Sequence, residues 1–387
     1  MASDLLEGIV SSAKASISVL LVLVYGYGLR KWKLISQAGE TNISKLCTKF
    51  FLPALLFTEI GPLATVQNLR NYWPIIPLSL FFQGAAFAVA MLSRLVGMPQ
   101  HFVPMFIFNN VTSLPLLLIN ALGASGSLDQ LVTADRTLDS VLRTGRVYFL
   151  INALVGNLVR FAFGPYLMKS HAHEAEAEDE DFAGHIALPE EATDEPLRIT
   201  TRMRRGLKRT KHWIVRAINP PLMGGILAMV FGLIPWFHRE LFGSGILSPI
   251  SDSINNIGKL FSALQMLVVG SHLHSKKGSR VRPLILLWLF TYRFVLAPAL
   301  SISVVYYIRT AWSNLIDKDP MLLFVLCMSN VGPPALTLSA VAAMAELPSD
   351  EDSQVSRILT FSYGVTPFIS FSVTAALWMI RQTETRE

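Results

Sequence analysis

The sequence predicts an all-α integral membrane protein of ten transmembrane helices, built as two inverted five-helix repeats with crossed, broken fourth and ninth helices. Three observations carry that reading. Of 387 residues, 52% are hydrophobic and only 16% charged, too little charge to cover a water-soluble globule, for which about 25% is usual. The apolar residues fall in long runs, and a helix needs ~20 of them to cross the hydrocarbon. The fourth and ninth runs are each interrupted near the middle by an Asn-Val pair followed by proline.

Taken in order, the runs lie near 10–29, 42–61, 73–96, 102–122 and 145–168, then 217–237, 254–273, 283–308, 320–344 and 357–380. The first is read as a retained span. Met1–Ser12 carries Asp4 and Glu7 instead of a basic leader region, and no cleavage-site pattern follows. The second and seventh are the most polar, with Lys49 and Glu59 in one and Asn255, Asn256, Lys259 and Gln265 in the other. Short loops join all of them except the fifth and sixth.

That exception, 169–216, opens with Glu174, Glu176, Glu178, Asp179, Glu180 and Asp181. It ends with Arg198, Arg202, Arg204, Arg205, Lys208, Arg209 and Lys211. Acidic, alanine-rich chain cannot bury enough apolar surface to fold alone, so a disordered cytoplasmic loop is expected here. It divides the chain into a first five-helix repeat over 1–168 and a second over 217–387. Its basic end also orients the molecule. With alternate loops assigned to opposite sides, Arg30, Lys31, Lys33, Arg94, the basic half of the loop, Lys276, Lys277, Arg280 and Arg282 fall together. That side carries roughly twice the positive charge of the other and is read as cytoplasmic, with both termini lumenal or exterior. The net charge of +6 is therefore a topology signal, and nucleic acid is not an expected partner.

Enzymatic chemistry finds no support in the motifs. Cys47 and Cys327 sit in apolar runs and make neither a disulfide framework nor a zinc cluster. His272 and His274 lack a third ligand nearby, so no metal is expected. There is no phosphate-binding loop and no nucleophile with a paired base, and no cofactor is implied.

The internal repeat carries the chemistry. Asn110-Val111-Thr112-Ser113-Leu114-Pro115 in the fourth run matches Asn330-Val331-Gly332-Pro333-Pro334 in the ninth, each in the penultimate span of its half. An odd number of spans per half forces opposite orientations, hence inverted repeats. Proline removes a helical hydrogen bond, and in lipid such a break survives only within protein or beside a water-filled cavity. Two breaks crossing at mid-membrane expose helix N-termini with free N–H groups and partial positive charge, which suits a carboxylate. Neutral asparagine amides can then bind an anion without a buried cation.

At these residues the chain resembles the auxin efflux carrier family of membrane transport proteins, most closely its PIN-LIKES branch and its fungal members. The resemblance rests on Pro53-Ala54-Leu55-Leu56-Phe57, Asn110 through Pro115, Asn219-Pro220, Gly232-Leu233-Ile234-Pro235, Arg293 through Pro298, and Pro333-Pro334-Ala335. It covers the chain except 169–216. It implies the ten-helix fold with crossed fourth and ninth helices, transport of auxin-like indole carboxylates, and an endoplasmic reticulum membrane, with the plasma membrane as the alternative. One departure is Gly270-Ser271-His272-Leu273, where plant relatives commonly have Gly-Gly-Asn-Leu.

The functional expectation is a secondary carrier or uniporter of a small organic anion. Asn109, Asn110 and Asn330 would hold the carboxylate, with Thr112, Ser113 and Ser329 beside them. Pro115, Pro333 and Pro334 would keep the helices open, and Leu56, Phe57 and Gln265 would form the walls. His272 is a candidate for proton coupling, set against an interfacial histidine beside Lys276 and Lys277. Arg293 is expected to hold carbonyls of a loop or broken helix, and Lys14, Asn152, Asn157 and Arg160 to line the interior or snorkel. The rival reading is a receptor or scaffold that recruits partners through 169–216. A homodimer is left open.

Overall fold

A computed structural model describes residues 17, 20–111, 113–124, 126–132, 137–169, 219–274, 281–311 and 319–384. The loop expectation for 169–216 therefore falls almost wholly outside the described residues, as do Lys14 and Thr112. Among the described residues every regular element is helical, and the one β interaction is an isolated antiparallel bridge between Asn109 and Pro334.

Among the described residues four helices are long and apolar enough to cross a membrane: Gln37–Leu63, Ile75–Leu95, Leu138–Met168 and Pro283–Ala311. They are the second, third, fifth and eighth of the predicted spans. Two bent pairs bring the number to six, Pro220–Leu233 with Pro235–Phe242 (98°) and Ser349–Gly364 with Thr366–Thr383 (50°). The first span is helical over 20–31, and the seventh is Ser248–His274. The fourth and ninth are cut in two, as Val103–Ile107 with Ser113–Ala124 and Pro320–Met328 with Leu338–Met344.

Several boundaries differ from the sequence reading, including the starts of the second span, at Gln37, and of the seventh, at Ser248. The sixth span stops at Leu233, because Pro235 cannot continue the helix and Ile234 turns extended before it. The tenth begins at Ser349 with Asp350, Glu351 and Asp352 in its first turn, where acidic side chains favour a helix N-terminus. The fifth begins at Leu138, capped by the Thr137 hydroxyl.

Burial is arranged as lipid requires. Leu92, Leu95, Leu284, Leu287, Phe371 and Trp378 face outward, while Asn109, Asn110, Asn152, Arg160, Gln265, Arg293 and Asn330 are buried. Proline shapes two spans in the same way. Pro53 and Pro298 each follow by two residues a π-helical turn, Cys47–Phe51 and Tyr292–Leu296. The turn absorbs the lost N–H and relieves the clash of the ring with the preceding turn, so the span continues.

Small residues set which helices meet. A Cβ on Gly26 would lie 2.2 Å from the Leu267 carbonyl oxygen, and one on Gly270 would lie 2.1 Å from that of Leu23, so the first and seventh spans touch backbone to backbone. A Cβ on Gly224 would come 2.5 Å from the Pro53 oxygen, which joins the sixth span to the second in the same manner. The second span also packs on the seventh. In the remaining bundle the third span packs on the fourth and fifth, and the eighth on the ninth and tenth.

Two hydrophobic cores lie on either side of the breaks. One joins Val103, Met105 and Phe106 to Leu338, Val341 and Ile358. The other joins Leu118 and Ile119 to Phe324, Leu326 and Val373. The first half of the fourth span is thus buried with the second half of the ninth, and the reverse, as an X-shaped crossing requires.

Candidate functional site

Both interrupted helices unwind at the crossing, and each supplies what the other lacks. The backbone N–H of Asn110 donates to the Pro333 carbonyl at 2.9 Å, and that of Ala335 donates to the Phe108 carbonyl at 3.0 Å. Asn109 and Pro334 stand opposite each other between these bonds, where a residue without an N–H leaves no donor unused. Gly332 has φ of +116°, which a side chain would disfavour, and this lets the chain turn into Pro333. Two helix C-termini, at Ile107 and Met328, and two N-termini, at Ser113 and Leu338, converge here.

The asparagines have different partners. Asn109 donates through Nδ2 to the carbonyls of Ser329 at 3.2 Å and Val331 at 2.9 Å, and so ties the fourth span to the broken ninth. Asn110 donates through Nδ2 to the Tyr363 hydroxyl of the tenth span at 2.7 Å. Asn330 is buried, and its Nδ2 interacts with the Tyr292 hydroxyl of the eighth span without reaching full hydrogen-bond geometry. Gln265 donates to the Ser339 hydroxyl at 2.8 Å, just beyond the ninth-span break.

One sequence expectation is corrected: the crossing does bury cations. Arg160, 2% exposed, donates from Nη2 to the Asn109 carbonyl at 2.8 Å and from Nη1 to Thr337 Oγ1 at 2.7 Å and Asn157 Oδ1 at 3.0 Å. Its guanidinium lies 5.8 Å from the Phe108 ring centre. The Asn109 carbonyl is left without a helical donor by the break, and a guanidinium has N–H groups enough to serve both interrupted helices at once. Arg293, fully buried, donates from Nε to the Met105 carbonyl at 2.9 Å, the role expected for it. Both arginines lack a carboxylate at ion-pair distance among the described residues, and Glu59 of the second span interacts with Arg160 only at longer range.

A cavity of about 10 Å³ adjoins the crossing between the third, fourth, fifth and ninth spans, lined by Gln83, Asn109, Asn152, Arg160, Ser329 and Asn330 among others. That is about the least space that holds one water, so the crossing is closed to an organic acid in this conformation.

The structure thus brings Asn109, Asn110, Ser329, Asn330, Pro333 and Pro334 together, with Gln265 one contact away. Pro115 is buried in the first turns of the helix that leaves the fourth-span break. Leu56 lies in the apolar core, and Phe57 packs on Phe231 and Phe242 of the sixth span at ring distances of 6.0 and 5.4 Å. The side chains of Ser113 and His272 lie outside the described residues. Gln83, Arg160, Thr337 and Tyr363 were not singled out for the site by the sequence. Asn152, Gly156 and Arg160 at i, i+4 and i+8 on one helix face were the available signal for Arg160.

Comparison with known proteins follows the same outline. The membrane transport protein family matches residues 12–378. Protein PIN-LIKES 7 of Arabidopsis thaliana is 23% identical over 366 residues, covering 88% of this chain and 90% of its own. Protein PIN-LIKES 5 of the same plant is 20% identical, covering 83% and 85%. An uncharacterized transporter of Saccharomyces cerevisiae is 24% identical, covering 94% and 95%.

Proposed function

Because the chain belongs to the membrane transport protein family of auxin efflux carriers and is an integral membrane transporter, we propose that it carries a small organic anion, of the indole acetate type, by alternating access at the crossing of its fourth and ninth spans. The observation that carries this reading is the paired interruption, in which two unwound segments hydrogen-bond each other across Asn109 and Pro334. Such discontinuous helices give a carrier binding groups at mid-membrane that no continuous helix offers.

Asn110 and Asn330 are the direct ligands in this reading, and Asn109 holds the frame, since its amide hydrogens are committed to the ninth span. Ser329, Pro333 and Pro334 shape the site with Thr112, Ser113 and Pro115, and Gln265 forms its polar wall. Leu56 and Phe57 belong to the surface against which the crossing moves. His272 is kept as a coupling candidate.

Inverted five-helix repeats over 1–168 and 217–387 are supported by the pattern of contacts. The first span on the seventh matches the sixth on the second, and the third with the fourth and fifth matches the eighth with the ninth and tenth. The natural division is between a bundle of the first, second, sixth and seventh spans and one of the other six, which would rock or slide against each other. The closed 10 Å³ cavity then belongs to a conformation without access to the site. An endoplasmic reticulum membrane with both termini lumenal and 169–216 cytoplasmic completes the proposal, with the plasma membrane as the alternative.

The test is uptake of radiolabelled indole acetate and other organic anions into proteoliposomes. Asn110→Ala combined with Asn330→Ala is expected to abolish it, and uptake at the wild-type rate would reject the site. Deleting 169–216 is expected to leave uptake intact, whereas its loss would favour the receptor or scaffold reading.

A further inference from the structure

Three residues that line the same small cavity at the crossing each carry a buried polar atom outside regular hydrogen bonding among the described residues: Arg160 Nε, Asn330 Nδ2 and Gln83 Oε1. Asn330 Nδ2 has only a loose interaction with the Tyr292 hydroxyl. They come from the fifth, ninth and third spans. Arg160 is also a cation held 2% exposed with no carboxylate at ion-pair distance among the described residues, Glu59 acting only at longer range. A buried charge without a close countercharge is costly, and an intramembrane cation is retained where it serves a ligand or a path.

We propose that Arg160 is the residue that selects negatively charged cargo, with its Nε and Asn330 Nδ2 as the two donors that grip a carboxylate. This rests on the reading of the crossing as a carrier site and adds the charge that the asparagines lack. Two of the guanidinium nitrogens already hold the Asn109 carbonyl and Thr337, so the group is fixed in place and Nε is the nitrogen left to serve a ligand. Preorganised N–H donors of this kind, one of them charged, favour a carboxylate over its neutral amide or alcohol. In the closed conformation the space of about 10 Å³ admits a single water, which can donate to Gln83 and accept from Arg160 and Asn330. When the cavity widens, a carboxylate oxygen takes the place of that water. Arg160 thereby couples cargo charge to the geometry of both broken helices, because the same guanidinium ties the fourth span to the ninth.

The experiment is calorimetric binding of indole-3-acetate and of neutral indole-3-acetamide to the purified full chain. R160Q is expected to weaken acetate binding about tenfold more than it weakens acetamide binding, and R160K to show a smaller difference than R160Q. Q83E, which places a carboxylate in the cavity as an internal competitor, is expected to show the same selective loss, and it decides the matter if R160Q aggregates. Equal losses for both ligands, or no loss for either, in the variants that fold would overturn the role of Arg160 and leave the crossing site standing. A wild-type protein that binds neither ligand would overturn the carrier reading, and this proposal with it.

Discussion

Asn109→Ala should behave as a lesion of the frame and not simply as the loss of a ligand. The side chain gives both amide hydrogens to carbonyls of the interrupted ninth span, at 3.2 and 2.9 Å. Removing it leaves two buried acceptors. The Ser329 carbonyl keeps a long contact of 3.4 Å from Asn152 Nδ2, so only part of its bonding is lost. At about 1–3 kcal/mol for an acceptor left bare and about 1 kcal/mol for one partly compensated, the substitution should cost on the order of 2–4 kcal/mol. Asn109→Asp keeps the shape but turns oxygen lone pairs toward the same two carbonyls, and should cost at least as much. The assay is thermal unfolding of the purified protein in detergent, followed by tryptophan fluorescence or size-exclusion recovery after heating. Both variants should melt several degrees below wild type, with Asn109→Asp no higher than Asn109→Ala. Asn109→Asp matching wild type would refute the assignment of both amide hydrogens to Ser329 and Val331, and with it the distinction between a structural Asn109 and the proposed ligand Asn110.

Gly270→Ala should destabilise by about 1–3 kcal/mol, since its Cβ would meet the Leu23 carbonyl oxygen at 2.1 Å and the first and seventh spans must part. Gly84→Ala, with nothing within 4 Å on the lipid face of a regular helix, should instead stabilise by about 0.5–1 kcal/mol. Melting the two side by side checks the sign of each. Asp319→Ala should cost about 1–2 kcal/mol, because Asp319 caps the ninth span through the Met321 N–H at 3.0 Å and accepts from the Tyr148 hydroxyl at 2.7 Å; Tyr148→Phe should show part of that loss in the same unfolding assay. His101, at the mouth of the fourth span, has its pKa lowered by burial, against the opposing pull of Glu351 at 3.6 Å and of Gln354 at 3.1 Å. The unfolded chain therefore takes up the proton first. Stability contributed here should be complete above the ordinary histidine range, near pH 6.5, and fall as the pH drops below it. His101→Gln should flatten that slope in melts between pH 5 and 8.

What could be read from the sequence, and what could not, follows the range of the interactions. Apolar length and the Asn…Pro interruptions are local, so the spans and the two breaks were visible, including which residues would meet if the breaks crossed. Bends were less visible. Pro235 stands in plain view, yet an apolar run through Trp236 and Phe237 hides that the chain turns by 98° before them. The division of labour among the asparagines was not legible at all, because it depends on partners more than two hundred residues away: Ser329 and Val331 for Asn109, Tyr363 for Asn110. Arg160 was hidden in the same way, because its partners Asn109 and Thr337 stand 51 and 177 residues away. Read locally, such a cation lines the interior or snorkels to the interface, and neutral amides are sufficient for an anion. In the fold, breaking a helix creates a bare carbonyl at Asn109, and the cheapest permanent partner for it is a guanidinium from the neighbouring fifth span. Interrupting a helix therefore creates a reason to bury a cation, and the two features that looked opposed in the sequence, the neutral break and the buried guanidinium, arise from a single structural need.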